Sequence, residues 1–295
     1  MKLTSFGTLT VVFLFALGLS SCGSKKDDKA NTDEFKQAEE SLKDEIEDVV
    51  YNIPSPSEIP YLLQQTGAEF NQSLLNDRKK ADQYQSRNDK AALNLGVYAA
   101  DIGYLVSYDK TQDAINYMNA AKKLADNLGI LGSFDADLMK RFESNVSKKD
   151  SLANMVNKAI HETEKYLKND NRNKPAALML TGSFVEGLYI STGLIKTYPK
   201  NLLKEDDRNL ILTPIIRVVL QQKESVNELL KMLGSVDQSA PVGSLVADLT
   251  SLQSSYKALN IEDQIKNNRA DLMLSDKNLT EITTIIEKIR KSIVE

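Results

Sequence analysis

The sequence predicts an all-α protein built as a multi-helix bundle. The 295-residue chain contains only 13 Gly, 7 Pro and no Trp, a composition that favours long helices over many tight turns. Apolar residues recur at spacings of three and four in most segments, as on one face of a helix. No stretch shows sustained alternation of apolar and polar residues between turn signals, so we expect essentially no β-sheet.

The first 22 residues carry the strongest motif in the chain. Lys2 gives a positive start, and the apolar run VVFLFALGL at 11–19 is too short to span a bilayer comfortably. It leads into Leu19-Ser20-Ser21-Cys22, and Cys22 is the only cysteine. This pattern resembles a bacterial lipobox and predicts a lipoprotein signal peptide at 1–21, followed by acylation of Cys22. The alternative is an ordinary signal peptide with a chance cysteine.

Acylation of Cys22 would make a membrane the first partner of this protein. Each buried methylene contributes about 0.8 kcal/mol, so two or three acyl chains give a stable anchor. Gly23 in place of Asp is similar to the lipoprotein sorting signal for the outer membrane. The acidic pair Asp27-Asp28 resembles a surface-export signal, although two lysines precede it. We therefore expect a lipid-anchored outer-membrane protein that faces the periplasm or the cell surface.

The polar stretch at 22–32 is expected to be a flexible tether, and 33–295 a single all-helical domain. The domain opens with an amphipathic segment at 33–50, which two prolines end. Ser57 is expected to cap the next helix, which places Pro60 in the first turn and ends at Gly67.

A pair of helices forms the centre of the predicted fold. The first, at 91–108, is apolar nearly all round, and the second, at 111–128, is amphipathic and ends at Gly129. The polar segment 76–90 before this pair is expected to be a short helix or a loop. Two more helices are predicted at 135–144 and 147–167.

The second half begins with another apolar helix, predicted at 175–198. It contains three glycines, each of which costs up to about 1 kcal/mol in a helix unless a neighbouring backbone packs there, so this helix is expected to be central. A long amphipathic helix follows at 207–233, with Pro214 in its first turn or at a kink. The last two helices, at 241–259 and 278–293, carry apolar residues at alternating spacings of four and three.

The two apolar helices are similar to each other at an offset of 85 residues. Placing Ala91 on Ala176 aligns Asp101 with Glu186. Each apolar helix also precedes an amphipathic helix that ends in Leu-Gly. Two related helical hairpins would explain this similarity, and chance agreement between two buried helices is the alternative.

Five residues are candidates for a polar site. Asp101 and Glu186 interrupt the apolar helices, and each has a tyrosine three residues later, Tyr104 and Tyr189, on the same face. Arg217 lies inside the apolar run ILTPIIRVVL. A buried carboxylate needs a partner, for which an arginine is suited. These residues therefore form either a structural polar network or a pocket for a polar ligand between the two apolar helices.

Several chemistries are disfavoured by the composition. With one cysteine and one histidine, His161, neither a metal site nor a Cys–His catalytic pair is expected. The net charge of −4 argues against a nucleic-acid partner, which would need a basic face. Paired carboxylates could serve in glycoside hydrolysis, but the chain has no Trp to bind a sugar. We therefore predict no catalytic residue and no cofactor.

Four segments carry a family resemblance: NIPSPSEI at 52–59, ALNLGVYAADIGY at 92–104, NYMNAAKKLADNLGI at 116–130 and LMLTGSFVEGLYI at 178–190. Their succession resembles a group of uncharacterised helical lipoproteins from Bacteroidota-type bacteria, over roughly residues 50–235. The resemblance implies an all-α exported lipoprotein and transfers no catalytic residue. We expect a non-catalytic binding or scaffolding module whose partner is another envelope protein. The alternative is a ligand-binding or sensor-like bundle with a polar pocket.

Overall fold

The computed structural model describes residues 54, 55, 57–130, 173–198 and 204–295, together with ten positions between 140 and 165. These residues form helices and no strand, which confirms the all-α prediction. They belong to one compact unit, Ser41–Glu295. The signal peptide, Cys22 and the helix predicted at 33–50 lie outside the described residues, as do most positions of the helices predicted at 135–144 and 147–167.

The described part of the bundle includes eleven α-helices. They are α1 Glu58–Gln65, α2 Ala81–Tyr84, α3 Asn88–Ser107, α4 Thr111–Asn127, α5 Asn173–Thr197, α6 Glu205–Leu220, α7 Lys223–Gly234, α8 Val242–Ala258, α9 Glu262–Lys266, α10 Ala270–Leu274 and α11 Lys277–Val294. Two short 3₁₀ turns, Gln72–Leu74 and Arg78–Lys80, lie between α1 and α2.

Helices α3 and α5 form the centre of the bundle, and their contact is the most extensive among the described helices. Every residue of α3 from Ala91 to Ser107 is buried, as the apolar sequence predicts. The backbones touch where Gly96 and Gly182 meet the opposite helix, because neither residue has a side chain to hold the helices apart. Around this pair pack α1, α4, α6, α7 and α11.

Helix α5 is long and apolar enough to cross a membrane by length and composition. However, 89% of its most apolar window is buried inside the fold. Packing against the surrounding helices therefore accounts for its apolar sequence.

The amphipathic helix α11 packs one face against the bundle. Its apolar residues at spacings of three and four are all buried: Leu279, Ile282, Ile286, Ile289 and Ile293. Removing one such side chain from water contributes about 1.5–3 kcal/mol. Asp276 caps this helix by accepting hydrogen bonds from the backbone N–H groups of Asn278 and Leu279.

The single helix predicted at 207–233 is wrong, because the structure divides it into α6 and α7. The carbonyl oxygens of Val218 and Val219, in the last turn of α6, accept hydrogen bonds from side chains. The Gln222 amide donates to Val218 O at 3.1 Å, and the Tyr256 hydroxyl donates to Val219 O at 2.8 Å. Pro214 lies inside α6 rather than in its first turn.

Candidate functional site

The carboxyl groups of Asp101 on α3 and Glu186 on α5 meet in the centre of the bundle. Both side chains are completely buried, and the two groups lie within hydrogen-bonding distance of each other. Asp101 follows Gly96 by five residues, and Glu186 follows Gly182 by four. The close crossing therefore places both carboxyls about one turn beyond the contact, in the same direction along both helices.

Arg290 of α11 completes this cluster with a two-pronged ion pair. Its Nε donates to Glu186 Oε2 at 3.1 Å, and its Nη2 donates to Glu186 Oε1 at 3.2 Å. The guanidinium also lies over the ring of Tyr189, 4.4 Å from the ring centroid. The Arg290 side chain is 15% exposed, so water screens this pair far less than a surface ion pair.

The hydrogen bond between the two carboxyls requires a proton on one of them. Burial and the adjacent Glu186 raise the pKa of Asp101 well above its ordinary value, although Arg290 works against this. Burial also raises the pKa of Glu186, whereas Arg290 and the hydrogen bond from Asp101 lower it. We therefore assign the proton to Asp101, which donates to the Glu186 carboxylate. With Arg290 charged, the cluster is neutral overall.

Asn76, in the segment before α3, contacts Asp101 and is itself held by two tyrosines. The backbone N–H of Asn76 donates to Asp101 Oδ2 at 3.3 Å, and the Tyr117 hydroxyl donates to the Asn76 carbonyl at 2.7 Å. The Tyr84 hydroxyl lies 3.2 Å from Asn76 Oδ1. Burial raises the pKa of both tyrosines, so their hydroxyls stay neutral and serve as donors.

The structure brings together three of the five residues predicted to line a polar site. Asp101 and Glu186 meet, and Tyr189 joins them through Arg290. Tyr104 belongs to a separate aromatic group, where its ring stacks on Phe70 at a centroid distance of 5.2 Å. Its hydroxyl accepts a hydrogen bond from the Asn71 backbone, and burial raises the pKa of Tyr104 to about 12.

Arg217, the predicted partner of the carboxylates, is exposed to solvent on α6. Arg290 makes the ion pair in its place. The sequence did contain a signal for Arg290, because it follows the buried Ile286 by four residues and precedes the buried Ile293 by three. That spacing places a charged residue on the inner face of an amphipathic helix.

A surface cavity of about 190 Å³ lies apart from the carboxyl cluster. It is formed by the segment after α1 and the end of α5, and it is lined by Ala68, Glu69, Phe70, Asn71, Leu194, Thr197 and Tyr198. The Phe70 ring at this cavity also contacts Tyr104, which stacks on it, and Lys110, whose Nζ lies 5.2 Å from the ring centroid. None of the cluster residues lines the cavity.

The chain matches no protein-family model, no curated protein and no solved structure in the comparisons made. The resemblance to helical lipoproteins therefore stays a prediction from the sequence. Within the residues described by the structure, no group of three or more His, Cys, Asp or Glu side chains could hold a metal ion.

Proposed function

We propose that this chain is a lipid-anchored, all-helical protein of the cell envelope that binds or scaffolds a partner without catalysis. The motif Leu19-Ser20-Ser21-Cys22 supports the anchor. The position of Gly23 supports transport to the outer membrane, with the body on the periplasmic face or the cell surface. Another envelope protein is the proposed partner.

One observation carries the non-catalytic part of this proposal. The two carboxyls that interrupt the apolar helices are 0% exposed and are paired with each other and with Arg290. A catalytic acid and base must reach a substrate, and these groups do not reach the surface. Their arrangement fits a structural role, in which they select one way of packing α3, α5 and α11.

The alternative of a ligand pocket between the two apolar helices has less support. A polar ligand would have to replace Arg290 at Glu186, which would leave a buried guanidinium without its partner. Soaking the protein with small amines and guanidinium compounds in a thermal-shift assay tests this alternative. Saturable stabilisation that Glu186→Gln removes would favour the ligand-binding function over the structural role.

The anchor is tested by Cys22→Ala in cells of the native type, with Ser21→Ala as a matched control that keeps a small residue before the cysteine. Radiolabelled palmitate should be incorporated into the wild-type chain and the control but not into Cys22→Ala, and globomycin should block processing of the first two. Membrane fractionation should find the wild type with the outer membrane. Membrane attachment of Cys22→Ala that survives carbonate washing would overturn the anchor proposal.

The scaffolding function is tested by crosslinking in intact cells, followed by purification under denaturing conditions. We expect a discrete envelope protein to be captured by the wild type and by Ser21→Ala. Capture should fall when Cys22→Ala removes the chain from the membrane. The absence of any specific crosslinked protein across several crosslinker lengths would count against scaffolding. Protease treatment of intact cells then determines which side of the membrane the body faces.

A further inference from the structure

The end of α11 is held by side chains from one short part of the chain. Four donors between residues 80 and 94 lie at the last three carbonyl oxygens: Lys80 Nζ and Tyr84 Oη lie 3.2 and 3.0 Å from Val294 O, Asn94 Nδ2 lies 2.9 Å from Ile293 O, and Lys90 Nζ lies 2.8 Å from Glu295 O. The last carbonyls of a helix have no partner within the helix, and positive charge is favourable there. This group of donors therefore fixes the position of the end of α11.

One turn before this end, α11 places Arg290 against the closed carboxyl pair. The contact joins residues that are 104 positions apart in the sequence. Through this contact the Arg290 guanidinium of α11 reaches the buried carboxyl pair at the centre of the bundle. The cluster of Asp101, Glu186 and Arg290 is neutral only when the two carboxyls share one proton, because one arginine neutralises one carboxylate and not two.

We propose that docking of α11 onto the bundle is coupled to the binding of one proton by the Asp101–Glu186 pair. In the docked state the pair is buried and holds the proton between its two carboxyls. When α11 leaves, Arg290 leaves with it and water reaches the carboxyls. The helix thus acts as a latch that a proton helps to close.

The direction of the pH dependence follows from proton linkage. Burial beside Glu186 in the docked state raises the pKa of Asp101 above its ordinary value of 3.8, and this effect outweighs the lowering by Arg290. In the proposed undocked state, hydration removes the effect of burial and returns the pKa toward the ordinary value. Between the two values the docked state holds one proton that the undocked state has released. Docking is therefore favoured at the acidic end of this window, and it weakens up to tenfold for each pH unit as the pH rises toward the docked pKa.

The other groups near Asp101 do not supply this proton. Three tyrosines interact with Asp101, namely Tyr84, Tyr98 and Tyr117, and Tyr189 interacts with Arg290. Asp77 and Arg78 act on Tyr117 and not directly on the two carboxyls. Burial raises the pKa of the three tyrosines, so they stay neutral, and their ionisation lies far above the carboxyl window. The carboxyl pair is therefore the element that titrates.

Hydrogen exchange of the α11 backbone amides tests the proposal on the full chain. Exchange is measured from about pH 5 to pH 9, where an unperturbed carboxylate stays ionised, and each rate is divided by the intrinsic rate at that pH. The resulting protection factors for α11 should fall with rising pH in the wild type, by up to tenfold per unit. They should also be lower than those of α3, because the latch opens without global unfolding.

Asp101→Asn is the decisive variant, because the amide keeps a donor for Glu186 but binds no proton. Its α11 protection should be nearly independent of pH. Asp126→Asn is the matched control, since Asp126 is an exposed carboxylate on α4 that pairs with Lys122, and it should keep the wild-type slope. Glu186→Gln is a second variant in which the two side chains cannot share a proton. It should also make the α11 protection factors less dependent on pH.

Three outcomes would overturn the proposal. The first is a wild-type slope that persists unchanged in both Asp101→Asn and Glu186→Gln. The second is α11 protection that does not vary with pH in the wild type. The third is equal protection of α11 and α3, which would assign the proton to global unfolding instead of to the latch.

Discussion

Gly96 and Gly182 occupy equivalent places at the crossing of α3 and α5. A Cβ atom on Gly96 would lie 1.9 Å from the carbonyl oxygen of Met179, and one on Gly182 would lie 2.0 Å from that of Leu93. In each case the contacted residue is three positions before the glycine of the opposite helix. This reciprocal contact relates positions 86 apart, one residue from the offset of 85 found in the sequence.

Substituting either glycine at the crossing should destabilise the fold. Gly96→Ala or Gly182→Ala places a methyl group on an opposing backbone, so the helices must move apart, at a cost of about 1–3 kcal/mol or more. Gly234→Ala is the matched control, since no atom lies within 4 Å of its added Cβ and the residue ends α7. Urea unfolding measures the difference. Equal effects at Gly96 and Gly234 would contradict the close crossing.

Removing Arg290 should cost more than removing a charge at the surface of the same helix. Arg290→Met leaves the buried Glu186 carboxylate without a partner, which typically costs about 3–5 kcal/mol. Lys288→Met is the control, because its side chain is 70% exposed and its pair with Asp248 should contribute about 0–1 kcal/mol.

The double variant Glu186→Gln/Arg290→Met separates loss of the pair from loss of packing. It removes both charges, so it should recover much of the stability that Arg290→Met loses. Chemical denaturation of the wild type, the two single variants and the double variant at one pH gives the coupling free energy. If the double variant loses as much free energy of unfolding as the two single variants combined, the two charges do not interact.

The start of α11 is capped by the side chain of Asp276. Asp276→Ala removes the acceptor for two backbone N–H groups and should lower the free energy of unfolding by about 1 kcal/mol. Glu281→Ala should change it by less than about 0.5 kcal/mol, because Glu281 is exposed and Asp276 is the cap. The reverse order of effects would show that Glu281, and not Asp276, caps the start of α11.

The positions of most described helices could be predicted because helical periodicity is a local property. The helix at 91–108 is observed at Asn88–Ser107, and the helix at 175–198 is observed at Asn173–Thr197. The glycines of the second of these helices also indicated a close backbone contact, which Gly182 confirms at the crossing. The predicted helix ends differ by a few residues, since capping depends on which side chains reach the terminal N–H and C=O groups.

The break between α6 and α7 was not predictable from the local pattern. The apolar spacing continues through 207–233, and no glycine or proline stands at Gln221 or Gln222. One of the side chains that donates to a carbonyl oxygen at the break is Tyr256 of α8, which contacts Val219 O. A contact across 37 positions leaves no periodic signature in the sequence.

The sequence by itself determined the helical class, the central place of the two apolar helices and the polar positions Asp101 and Glu186 within them. Those features follow from side-chain polarity and from the 3.6-residue period. Only the tertiary structure decided that the two carboxyls meet, that Arg290 rather than Arg217 neutralises them, and that Tyr104 lies in another group. A buried charge must be balanced by whichever opposite charge packing brings within reach, and that neighbour is set by how distant helices pack.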